Sequence, residues 1–422
     1  MHPIKNVCVV GLGYIGLPTA AVFASRGIDV LGVDINPSTV DTINRGDVHI
    51  IEPALDAIVR DVVTRGKLRA SLQPEGADAF VIAVPTPFKG EDHEPDLTYI
   101  ESAANAVAPV LKKGDLIVLE STSPVGATEQ MAEWLAAARP DLSFPQGAGV
   151  EADIRVAHCP ERVLPGKVIQ ELVENDRVVG GMTPPCAQRA VELYRIFVEG
   201  DCIITDARTA EMAKLCENSF RDVNIAFANE ISLICDRLGI DVWELISLAN
   251  RHPRVNILSP GPGVGGHCIA VDPWFIVSSA REQARLIRTA REVNDGKPEW
   301  VLARVGEAIE QVRQEGRVPR VAAYGLAFKA DIDDLRESPA LKIVTALAKR
   351  TDCTLVAVEP NIDALPASLG ALELSAPDEA HRSADIHLLL VDHRAFRSLG
   401  RPAGIVIDTR GLWRDREASA AE

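Results

Sequence analysis

Short apolar runs alternate with amphipathic segments near the N-terminus, which is the pattern of parallel strands joined by helices. The segment 17–26 has helical spacing, and Gly27 follows it as a natural helix stop. The runs that predict strands are 7–10, 28–33, 80–84 and 116–119. This order predicts an open α/β sheet with helices on its faces.

The same alternation returns near the C-terminus, after a long helical middle. Residues 207–238 keep helical apolar spacing without a proline, and Gly239 ends the segment. The later runs that predict strands begin at Arg320 and continue at 354–358, 386–391 and 405–407. We therefore expect an α/β chain in which two doubly wound, Rossmann-like domains, 1–205 and 317–422, are joined by a central helical domain, 206–316.

Composition and charge narrow the class of protein. The 422 residues include 60 acidic and 44 basic side chains, so the formal net charge is −16. This balance argues against nonspecific nucleic-acid binding, which depends on Lys and Arg neutralising phosphates. No apolar run approaches the roughly 18 residues of a membrane span, and no targeting segment is evident. The eight cysteines include no CxxC pair, which argues against a metal site and favours a reducing cytoplasm.

A glycine motif follows the first predicted strand. Gly11-Leu12-Gly13-Tyr14-Ile15-Gly16 has GxGxxG spacing before a predicted helix, and Asp34 ends the next strand. Such glycines allow a tight turn and close approach to a pyrophosphate, while a carboxylate at the Asp34 position holds the adenosine ribose and repels a 2′-phosphate. The motif in this context predicts NAD binding, and the alternative is a glycine turn needed only for packing.

Two more strand ends support this site. The run 80–84 stops before Thr86, and the run 116–119 stops before Ser121-Thr122-Ser123-Pro124. Ligands of a doubly wound sheet bind beyond the carboxyl ends of its strands, so Thr86 and Thr122 are candidates for contacting the cofactor. Helix capping or turn chemistry explains either threonine equally well.

Candidate catalytic groups lie in the middle of the chain. Lys214, Asn218 and Arg221 share one face of the long predicted helix, where a solvated stripe is the alternative. A glycine-rich loop then delivers Cys268, a candidate nucleophile, and Asp272 follows one helical turn later as a group that could orient an acid or base. A buried structural thiol is the alternative for the cysteine.

Two further segments carry polar candidates. Glu161 and Arg162 follow a strand-like stretch and a proline, and they fit either a surface ion pair or a base beside a substrate clamp. A second strand-to-glycine turn, at Gly325, has an incomplete fingerprint. We expect it to bind a nucleotide part of the substrate, with Lys329 and Arg336 as local cations, and the alternative is a purely structural domain.

NAD together with a catalytic cysteine defines a reaction class. Oxidation of a primary alcohol to a carboxylate removes two hydrides, and a thiolate that adds to the intermediate aldehyde permits the second removal. Water then hydrolyses the thioester, so the site needs a nucleophile, an oxyanion stabiliser and a base. Cys268, the Lys214/Asn218 pair and Glu161 are the candidates for these roles. A single hydride transfer and a non-catalytic nucleotide-sugar sensor are the competing functions.

These motifs resemble a known family along essentially the whole chain, the nucleotide-sugar dehydrogenases that make uronic acids. The GxGYIGLP start, the Ser-Thr-x-Pro turn, the Pro-Glu-Arg segment, the Lys-x-x-x-Asn helix face, the Gly-Gly-x-Cys loop and the Gly-Leu-Ala-Phe-Lys turn carry the resemblance. Longer stretches, at 158–167, 175–182, 250–256 and 265–274, resemble the branch that oxidises UDP-N-acetylmannosamine. The UDP-glucose branch differs, with Cys-Phe-Pro-Lys-Asp at 268–272 and a lysine in place of Glu120.

The resemblance implies a four-electron oxidation of UDP-N-acetylmannosamine to its uronate for surface polysaccharide synthesis, with two NAD reduced. Another UDP-hexose or UDP-N-acetylhexosamine is the alternative substrate. It also implies a homodimer formed through the central helices. The implied catalytic groups are Cys268 as nucleophile, Lys214 as acid/base or oxyanion partner, Asn218 on the oxyanion, Asp272 supporting Lys214, Glu161 for hydrolysis, and Thr122 near the nicotinamide. The implied NAD-binding residues are Gly11, Gly13, Tyr14, Ile15, Gly16, Asp34, Thr86, Thr122 and Arg336. The implied sugar-nucleotide-binding residues are Arg162, Val163, Lys214, Asn218, Arg221, His252, Arg254, Gly265, Phe328, Lys329 and Arg414.

Overall fold

A computed structural model describes residues 3–90, 92–164, 166–266 and 268–414. They form two compact units, one that ends at Glu217 and one that begins at Asn218. The boundary between the units falls inside the long helix. The domain bounds expected from the sequence, at 205/206 and 316/317, stay a prediction.

The strands of the first unit are short apolar runs, as strands buried on both faces of a sheet require. In chain order they are β1 (Asn6–Val10), β2 (Asp29–Val33), β3 (Leu68–Ser71), β4 (Ala79–Ile82), β5 (Phe88–Lys89), β6 (Glu94–Pro95), β7 (Leu116–Leu119), β8 (Arg155–His158), β9 (Arg177–Gly181) and β10 (Cys202–Asp206). Eight of them form one sheet in the order β10-β9-β8-β7-β4-β1-β2-β3, and β5 pairs with β6 in a hairpin. All neighbours in the large sheet are parallel except β8 and β9, so β9 and β10 run opposite to the rest.

Helices cover both faces of this sheet. They are α1 (Gly16–Ser25), α2 (Pro37–Asn44), α3 (Leu55–Thr64), α4 (Thr98–Val107), α5 (Ala127–Ala138), α6 (Pro145–Ala148), α7 (Val168–Glu174) and α8 (Pro184–Tyr194). Because successive side chains of a strand point to opposite faces, β1 enters two apolar clusters. Val7 and Val9 pack with α1, α3 and α8, whereas Cys8 and Val10 pack with α4 and α5.

β4 ends earlier than the apolar run 80–84 predicts. The chain leaves the sheet after Ile82 because it passes over the glycine turn that follows β1. The Ala83 carbonyl oxygen lies 2.5 Å from the position that a Cβ would take on Gly11. Ser121 Oγ donates a hydrogen bond of 2.7 Å to the Val84 carbonyl, which holds the departing chain against the end of β7.

The long helix is α9 (Ala207–Leu238), and it has the bounds expected from the sequence. It begins directly after β10 and ends at Gly239, whose φ of +69° is typical of a residue that stops a helix. In the part of the chain that the structure describes, no helix combines the length and the apolar character that crossing a bilayer requires.

The second unit repeats the α/β pattern behind a helical region. Its helices are α10 (Val242–Ala249), α11 (Asp272–Ser279), α12 (Arg285–Gln314), α13 (Pro339–Leu347), α14 (Pro377–Ser383) and α15 (Arg394–Arg397). Its strands are β11 (Arg320–Tyr324), β12 (Thr354–Val358), β13 (Glu373–Leu374), β14 (Ile386–Leu389) and β15 (Ile405–Asp408). They form a parallel sheet in the order β13-β12-β11-β14-β15. Parallel sheets near both ends and helices between them confirm the predicted fold class.

The second sheet copies the early strand end of the first. β14 stops at Leu389, although the apolar run continues to 391. The amides of Leu390 and Val391 both donate to the Tyr324 carbonyl, at 2.9 and 3.1 Å. Val391 Cβ lies 2.3 Å from the position that a Cβ would take on Gly325. In both units, therefore, the strand beside the first strand bends away to cover a glycine turn.

Candidate active site

The glycines of the first turn have separate tasks. Gly11 has a φ of +93° and supports the close passage of Ala83. A Cβ on Gly16, the first residue of α1, would lie 1.8 Å from the Gly11 carbonyl oxygen, so only glycine lets the helix start here. A Cβ on Gly13 would meet nothing within 4 Å. Gly13 is therefore the position where the backbone is open to a ligand, next to the N-terminus of α1.

Asp34 is held beside this turn at the carboxyl end of β2. Its Oδ2 accepts a hydrogen bond from the Leu12 amide at 3.0 Å, and its Oδ1 accepts one from the Asn36 amide at 2.9 Å. The carboxylate remains partly exposed. A fixed, accessible carboxylate at this point fits the ribose hydroxyls of a dinucleotide.

The remaining cofactor candidates of this unit line the same edge of the sheet. Tyr14 is exposed and Ile15 half-buried within the glycine turn, whereas Thr86 and Thr122 follow β4 and β7. Thr86 Oγ1 is buried and has no hydrogen-bond partner among the described residues. A buried hydroxyl without a partner is costly, so this atom fits a polar group supplied by a ligand. The open Gly13, the presented Asp34 and this hydroxyl together fit NAD.

Glu211 fixes the turn that carries Thr122, and sequence reasoning missed it. Its carboxylate, on α9, accepts hydrogen bonds from the Gly126 amide at 2.6 Å and from the Thr128 amide and hydroxyl at 2.8 and 2.6 Å. Burial raises the pKa of Glu211, and these hydrogen bonds oppose the rise. The carboxylate thus caps α5 and ties the beginning of α9 to the end of β7.

Glu161 and Arg162 lie beyond the end of β8, next to β7 in the sheet. Glu161 is 7% exposed, and its Oε1 accepts a hydrogen bond from the Arg162 amide at 2.7 Å. Arg162 pairs with Glu217 of α9, with Nη2 2.6 Å from Oε1, so the predicted clamp is tied to the long helix. Val163 packs against the apolar core of the sheet.

A buried ionic cluster lies beneath Glu161, and the sequence did not reveal it. We call it the Glu120 cluster, and its members are Thr19, Glu120, Glu161, Arg177 and Tyr194. Arg177 Nη1 lies 2.8 Å from Glu161 Oε2 and 3.7 Å from Glu120 Oε1. Tyr194 and Thr19 donate hydrogen bonds to Glu120, at 3.0 and 3.2 Å. Burial, and secondarily the charge of Glu161, raise the pKa of Glu120 to about 7.

The reversed strand β9 explains how Arg177 reaches this edge. In the antiparallel pair of β8 and β9, Ala157 lies opposite Gly181 and His158 opposite Gly180. Continuing that register places Arg177, the first residue of β9, opposite Glu161. A parallel β9 would begin at the other edge of the sheet, far from Glu161.

The second unit joins two of the predicted catalytic residues. Asn218 Nδ2, on α9, donates to Asp272 Oδ2 at 2.5 Å, and Asp272 is the buried first residue of α11. Cys268 is exposed, and its carbonyl accepts the Asp272 amide at 2.8 Å, so the cysteine lies in the turn that leads into α11. Lys214 lies half-buried one turn before Asn218 in α9, and Arg221 is exposed. Asp272 thus contacts Asn218, and its expected support of Lys214 stays a prediction.

Glycine in the loop before Cys268 has a packing reason. A Cβ on Gly265 would lie 2.7 Å from the Glu337 carbonyl oxygen and 2.8 Å from Phe328 Cβ. Gly266 has a φ of +84° and lies against the ring of Phe328. The structure therefore brings together Gly265 and Phe328, for which the family resemblance implies a part in substrate binding.

The other predicted substrate and cofactor residues of this unit lie on its surface. His252 and Arg254 are exposed in a loop that Asn250 closes through two hydrogen bonds to Ile257. Arg336 pairs with Asp334, with Nη2 2.6 Å from Oδ2. Lys329 and Arg414 are exposed as well. Their part in a common site stays a prediction.

The chain matches three sequence models of one family, in order. They are the UDP-glucose/GDP-mannose dehydrogenase family NAD binding domain at 5–198, central domain at 208–296 and UDP binding domain at 322–415. Together these segments span most of the chain.

Full-length relatives and a solved structure agree with these matches. An NDP-N-acetyl-D-galactosaminuronic acid dehydrogenase of Ralstonia nicotianae is 63% identical over 99% of this chain and 98% of its own length. A UDP-N-acetyl-D-mannosamine dehydrogenase of Escherichia coli K12 is 61% identical over 97% of this chain and 99% of its own. The structure of a UDP-D-ManNAc dehydrogenase from Pyrococcus horikoshii is 40% identical and superposes with a TM-score of 0.87, covering 98% and 97% of the two chains.

The family resemblance and the NAD cofactor expected from the sequence are thereby confirmed. Cys268 is exposed in the unit that contains the Asn218–Asp272 pair, and the first glycine turn is open at Gly13. The chain belongs to the UDP-glucose/GDP-mannose dehydrogenase family and is an NAD-dependent nucleotide-sugar dehydrogenase that oxidises a UDP-sugar.

Proposed function

We propose that the protein oxidises UDP-N-acetylmannosamine to UDP-N-acetylmannosaminuronate in two successive steps, through a thioester on Cys268. The observation that carries this proposal is the position of Cys268, which is exposed in the turn that leads into α11. Asp272, at the start of the same helix, bonds to Asn218. A nucleophile therefore lies one helical turn from a fixed polar pair, as covalent oxidation of an aldehyde requires.

The choice of sugar rests on relatives whose names differ. Relatives named for N-acetyl-D-galactosaminuronic acid and for N-acetyl-D-mannosamine are 63% and 61% identical to this chain. Long stretches such as 158–167 and 265–274 favour the mannosamine branch. A UDP-N-acetylgalactosamine substrate is the second candidate, favoured by the relatives from Ralstonia. The uronate would supply surface polysaccharide synthesis in either case.

The residues divide the proposed reaction between them. Lys214 takes the proton of the sugar hydroxyl in the first oxidation. NAD, held at the glycine turn of the first unit, would supply the hydride acceptor for both oxidations. The Cys268 thiolate adds to the aldehyde carbon, and Asn218, positioned by Asp272, donates to the resulting oxyanion. After the second oxidation Glu161 removes a proton from a water molecule, whose oxygen bonds to the thioester carbon. The carbon–sulfur bond then breaks, and its electron pair returns to Cys268 Sγ.

We also assign residues to the binding of NAD and of the sugar nucleotide. Gly11, Gly13, Gly16 and Asp34 would hold the pyrophosphate and ribose of NAD, with Tyr14, Ile15, Thr86, Thr122 and Arg336 contributing further contacts. The sugar nucleotide would be held by Arg162, Val163, Arg221, His252, Arg254, Gly265, Phe328, Lys329 and Arg414. A thiolate nucleophile works only when reduced, which supports the reducing cytoplasm expected from the sequence.

A homodimer through α9 completes the proposal. One face of this helix carries four exposed apolar side chains. They are Phe220 (74% exposed), Phe227 (52%), Ile234 (43%) and Leu238 (64%). A second copy of the chain would bury this apolar face. In sedimentation velocity the wild type should be a dimer and Phe227→Glu a monomer, with Val318→Glu, at an exposed apolar residue outside α9, as the control. A dimer that survives Phe227→Glu would contradict this interface.

The reaction is tested by counting NADH per sugar with UDP-N-acetylmannosamine, UDP-N-acetylgalactosamine, UDP-N-acetylglucosamine and UDP-glucose. We expect two NADH per molecule of the first sugar, and one NADH would mean that an aldehyde is released. Cys268→Ser should abolish the second oxidation, whereas Cys216→Ser, a matched exposed cysteine on α9, should leave activity intact. Full activity of Cys268→Ser would eliminate the nucleophile role, and no NADH with any sugar would favour a sensor.

A further inference from the structure

The Glu120 cluster carries more negative charge than its contacts neutralise. It contains two carboxylates and one guanidinium, and Glu120, Glu161 and Arg177 are 1%, 7% and 2% exposed. When both carboxylates are ionised the cluster has a net charge of −1 inside the protein. Such a charge is costly to bury without a partner, so a proton is strongly attracted to one of the two carboxylates.

We propose that Glu120 is a positioning residue that shares Arg177 with Glu161 and thereby sets how readily Glu161 accepts a proton during hydrolysis of the Cys268 thioester. This inference rests on the function proposed above, because it concerns the base of that reaction.

The geometry gives Arg177 two competing partners. Its Nη1 lies 2.8 Å from Glu161 Oε2 and 3.7 Å from Glu120 Oε1. The contact with Glu161 lacks hydrogen-bond alignment, so Glu161 Oε2 and Arg177 Nη1 have no hydrogen-bond partner among the described residues. Glu161 Oε2 is buried and keeps a lone pair that can accept a proton. Glu161 is also the more exposed of the two carboxylates, at 7% against 1% for Glu120.

Protonation of Glu161 has two different consequences, depending on Glu120. With Glu120 ionised, a proton on Glu161 takes the cluster from −1 to neutral, and Arg177 keeps Glu120 as its partner. With Glu120 protonated, the same step takes the cluster from neutral to +1 and leaves Arg177 without a carboxylate. Because the second step leaves a buried cation unpaired, ionised Glu120 makes Glu161 the stronger base.

The other titratable groups that face Glu120 keep their charge state across neutral pH. Burial raises the pKa of Cys159 to about 12 and raises that of Tyr194 well above its ordinary value. Burial lowers the pKa of His158, at the end of β8, to about 3. Glu161 and Arg177 are thus the charged neighbours, from beyond β8 and from β9, and Thr19 on α1 adds only a hydroxyl. Ionisation of Glu120 near pH 7 is the event that alters Glu161.

The test follows decay of the acyl-enzyme in single-turnover experiments from pH 6 to pH 9. In the wild type the hydrolysis rate should rise as the pH passes through about 7. Glu120→Gln keeps the shape of the side chain and removes its charge, so this rise should disappear. The variant should match the wild type at pH 6 and be about 10-fold slower at pH 8, since general-base rates follow basicity. Intact-protein mass spectrometry should then detect acyl-Cys268 accumulating at pH 8, while the two NADH form at the wild-type rate.

A matched control and a second variant keep the test decisive. Asp115 is a buried carboxylate just before β7, at the opposite end of the strand that leads to Glu120. Asp115→Asn should lower the melting temperature and leave the pH profile of hydrolysis unchanged. Should Glu120→Gln fail to fold, Tyr194→Phe removes one hydrogen bond to ionised Glu120 and should move the rise in rate to higher pH.

The outcomes separate this inference from the proposed reaction. A wild type that forms two NADH and an acyl-Cys268, together with a Glu120→Gln pH profile identical to that of the wild type, overturns the role of Glu120 and leaves the reaction intact. A uniform loss of rate at every pH means that Glu120 is merely structural. Absence of any acyl-enzyme in the wild type and in Glu161→Gln overturns the thioester reaction itself.

Discussion

The first strand of each unit ends in a glycine turn, and the two turns share their backbone geometry. The Gly11 amide donates to the Val33 carbonyl and the Gly325 amide to the Val358 carbonyl, both at 2.8 Å. In each case a carboxylate after the neighbouring strand accepts the next amide. Asp34 binds Leu12 at 3.0 Å, and Glu359 binds Leu326 at 2.7 Å.

The turns differ in what surrounds the carboxylate. Asp34 is partly exposed and faces an open Gly13, whereas Glu359 is 3% exposed and lies 3.0 Å from the Nε2 atom of buried His393. α1 follows its turn directly, but α13 begins only at Pro339. The carboxylate beside the turn is therefore accessible in the first unit and buried against a histidine in the second. Neither Glu359 nor His393 was evident as a partner in the sequence.

Gly16→Ala should break the first turn most severely. Its Cβ would overlap the Gly11 carbonyl, so we expect α1 to shift and NAD affinity to fall by about 100-fold, or about 2.7 kcal/mol, with a loss of about 1–3 kcal/mol in stability. NAD titration by fluorescence and urea denaturation measure both effects. Gly76→Ala, where a Cβ would meet only the Val110 carbonyl oxygen at 3.8 Å, is the control. Unchanged NAD affinity would contradict a cofactor site here.

Glu359→Gln should weaken the second turn without affecting the cofactor. The substitution removes the charge that accepts the Leu326 and Ala327 amides and contacts His393, so we expect a loss of about 1–3 kcal/mol in unfolding free energy. The dissociation constant of NAD should stay the same. A variant that folds as stably as the wild type but loses NAD binding would mean that the second turn, rather than the first, supports the cofactor.

Asp34→Asn should weaken NAD binding and leave stability almost unchanged, which is the opposite of the effect expected for Glu359→Gln. An amide oxygen can still accept from Leu12, so the unfolding midpoint should change little, while affinity for NAD falls by about 10-fold because the charged acceptor for the ribose is lost. Discrimination against NADP should fall in parallel, as measured by kcat/KM for the two cofactors. Retained preference for NAD over NADP would argue that another group reads the ribose.

The pH dependence of stability should report on the contacts of Glu359. Burial alone would raise the pKa of Glu359, but the hydrogen bonds from His393 and the Leu326 amide outweigh it and lower the pKa. A lowered pKa in the folded state contributes stability above the unfolded value, of about 4.3, and this contribution is lost as the pH falls. The stability difference between wild type and Glu359→Gln should therefore shrink below about pH 4. A constant difference from pH 7 to pH 3 would contradict this electrostatic account.

Gly13→Ala should have the smallest effect. A Cβ there meets no protein atom within 4 Å, so the unfolding free energy should stay within about 0.5 kcal/mol of the wild type. The methyl group would nevertheless stand where a pyrophosphate approaches, and NAD affinity should fall several-fold. Calorimetric titration measures the change, and an unaltered affinity would mean that the ligand lies away from Gly13.

Local patterns in the sequence predicted the elements that depend on neighbouring residues. The predicted bounds of the long helix, Ala207 and Leu238, were correct, because apolar spacing and the glycine at 239 are local signals. Ser338 caps α13 as expected, with its Oγ accepting the Leu341 amide at 3.2 Å. The early ends of β4 and β14 were missed, because they result from contacts with glycine turns distant in the sequence.

The candidate site also contains residues that local sequence patterns predict and residues that depend on distant contacts. Cys268 and Asp272 were recognisable from a glycine-rich loop and helical spacing, and the structure adds the bond to Asn218. The Glu120 cluster was not recognisable, because its contacts join residues from five separate segments. Glu120 stood out only as a departure from a lysine. A charged residue directly between an apolar strand and a Ser-Thr turn is the signal that would have indicated burial.

Because β9 and β10 run opposite to the other strands, the beginning of α9 has to span the length of the main sheet. β10 ends at the amino edge of the main sheet, so α9 must run back along the sheet before Glu211 reaches the end of β7 and Glu217 reaches Arg162. The eleven steps along the chain from Asp206 to Glu217 rise about 16 Å, close to the length of a five-residue strand. One residue added to this stretch would advance every later side chain by 1.5 Å and rotate it by about 100°. The number of residues between β10 and Lys214 therefore sets the height and the direction of this side chain relative to the sheet of the first unit.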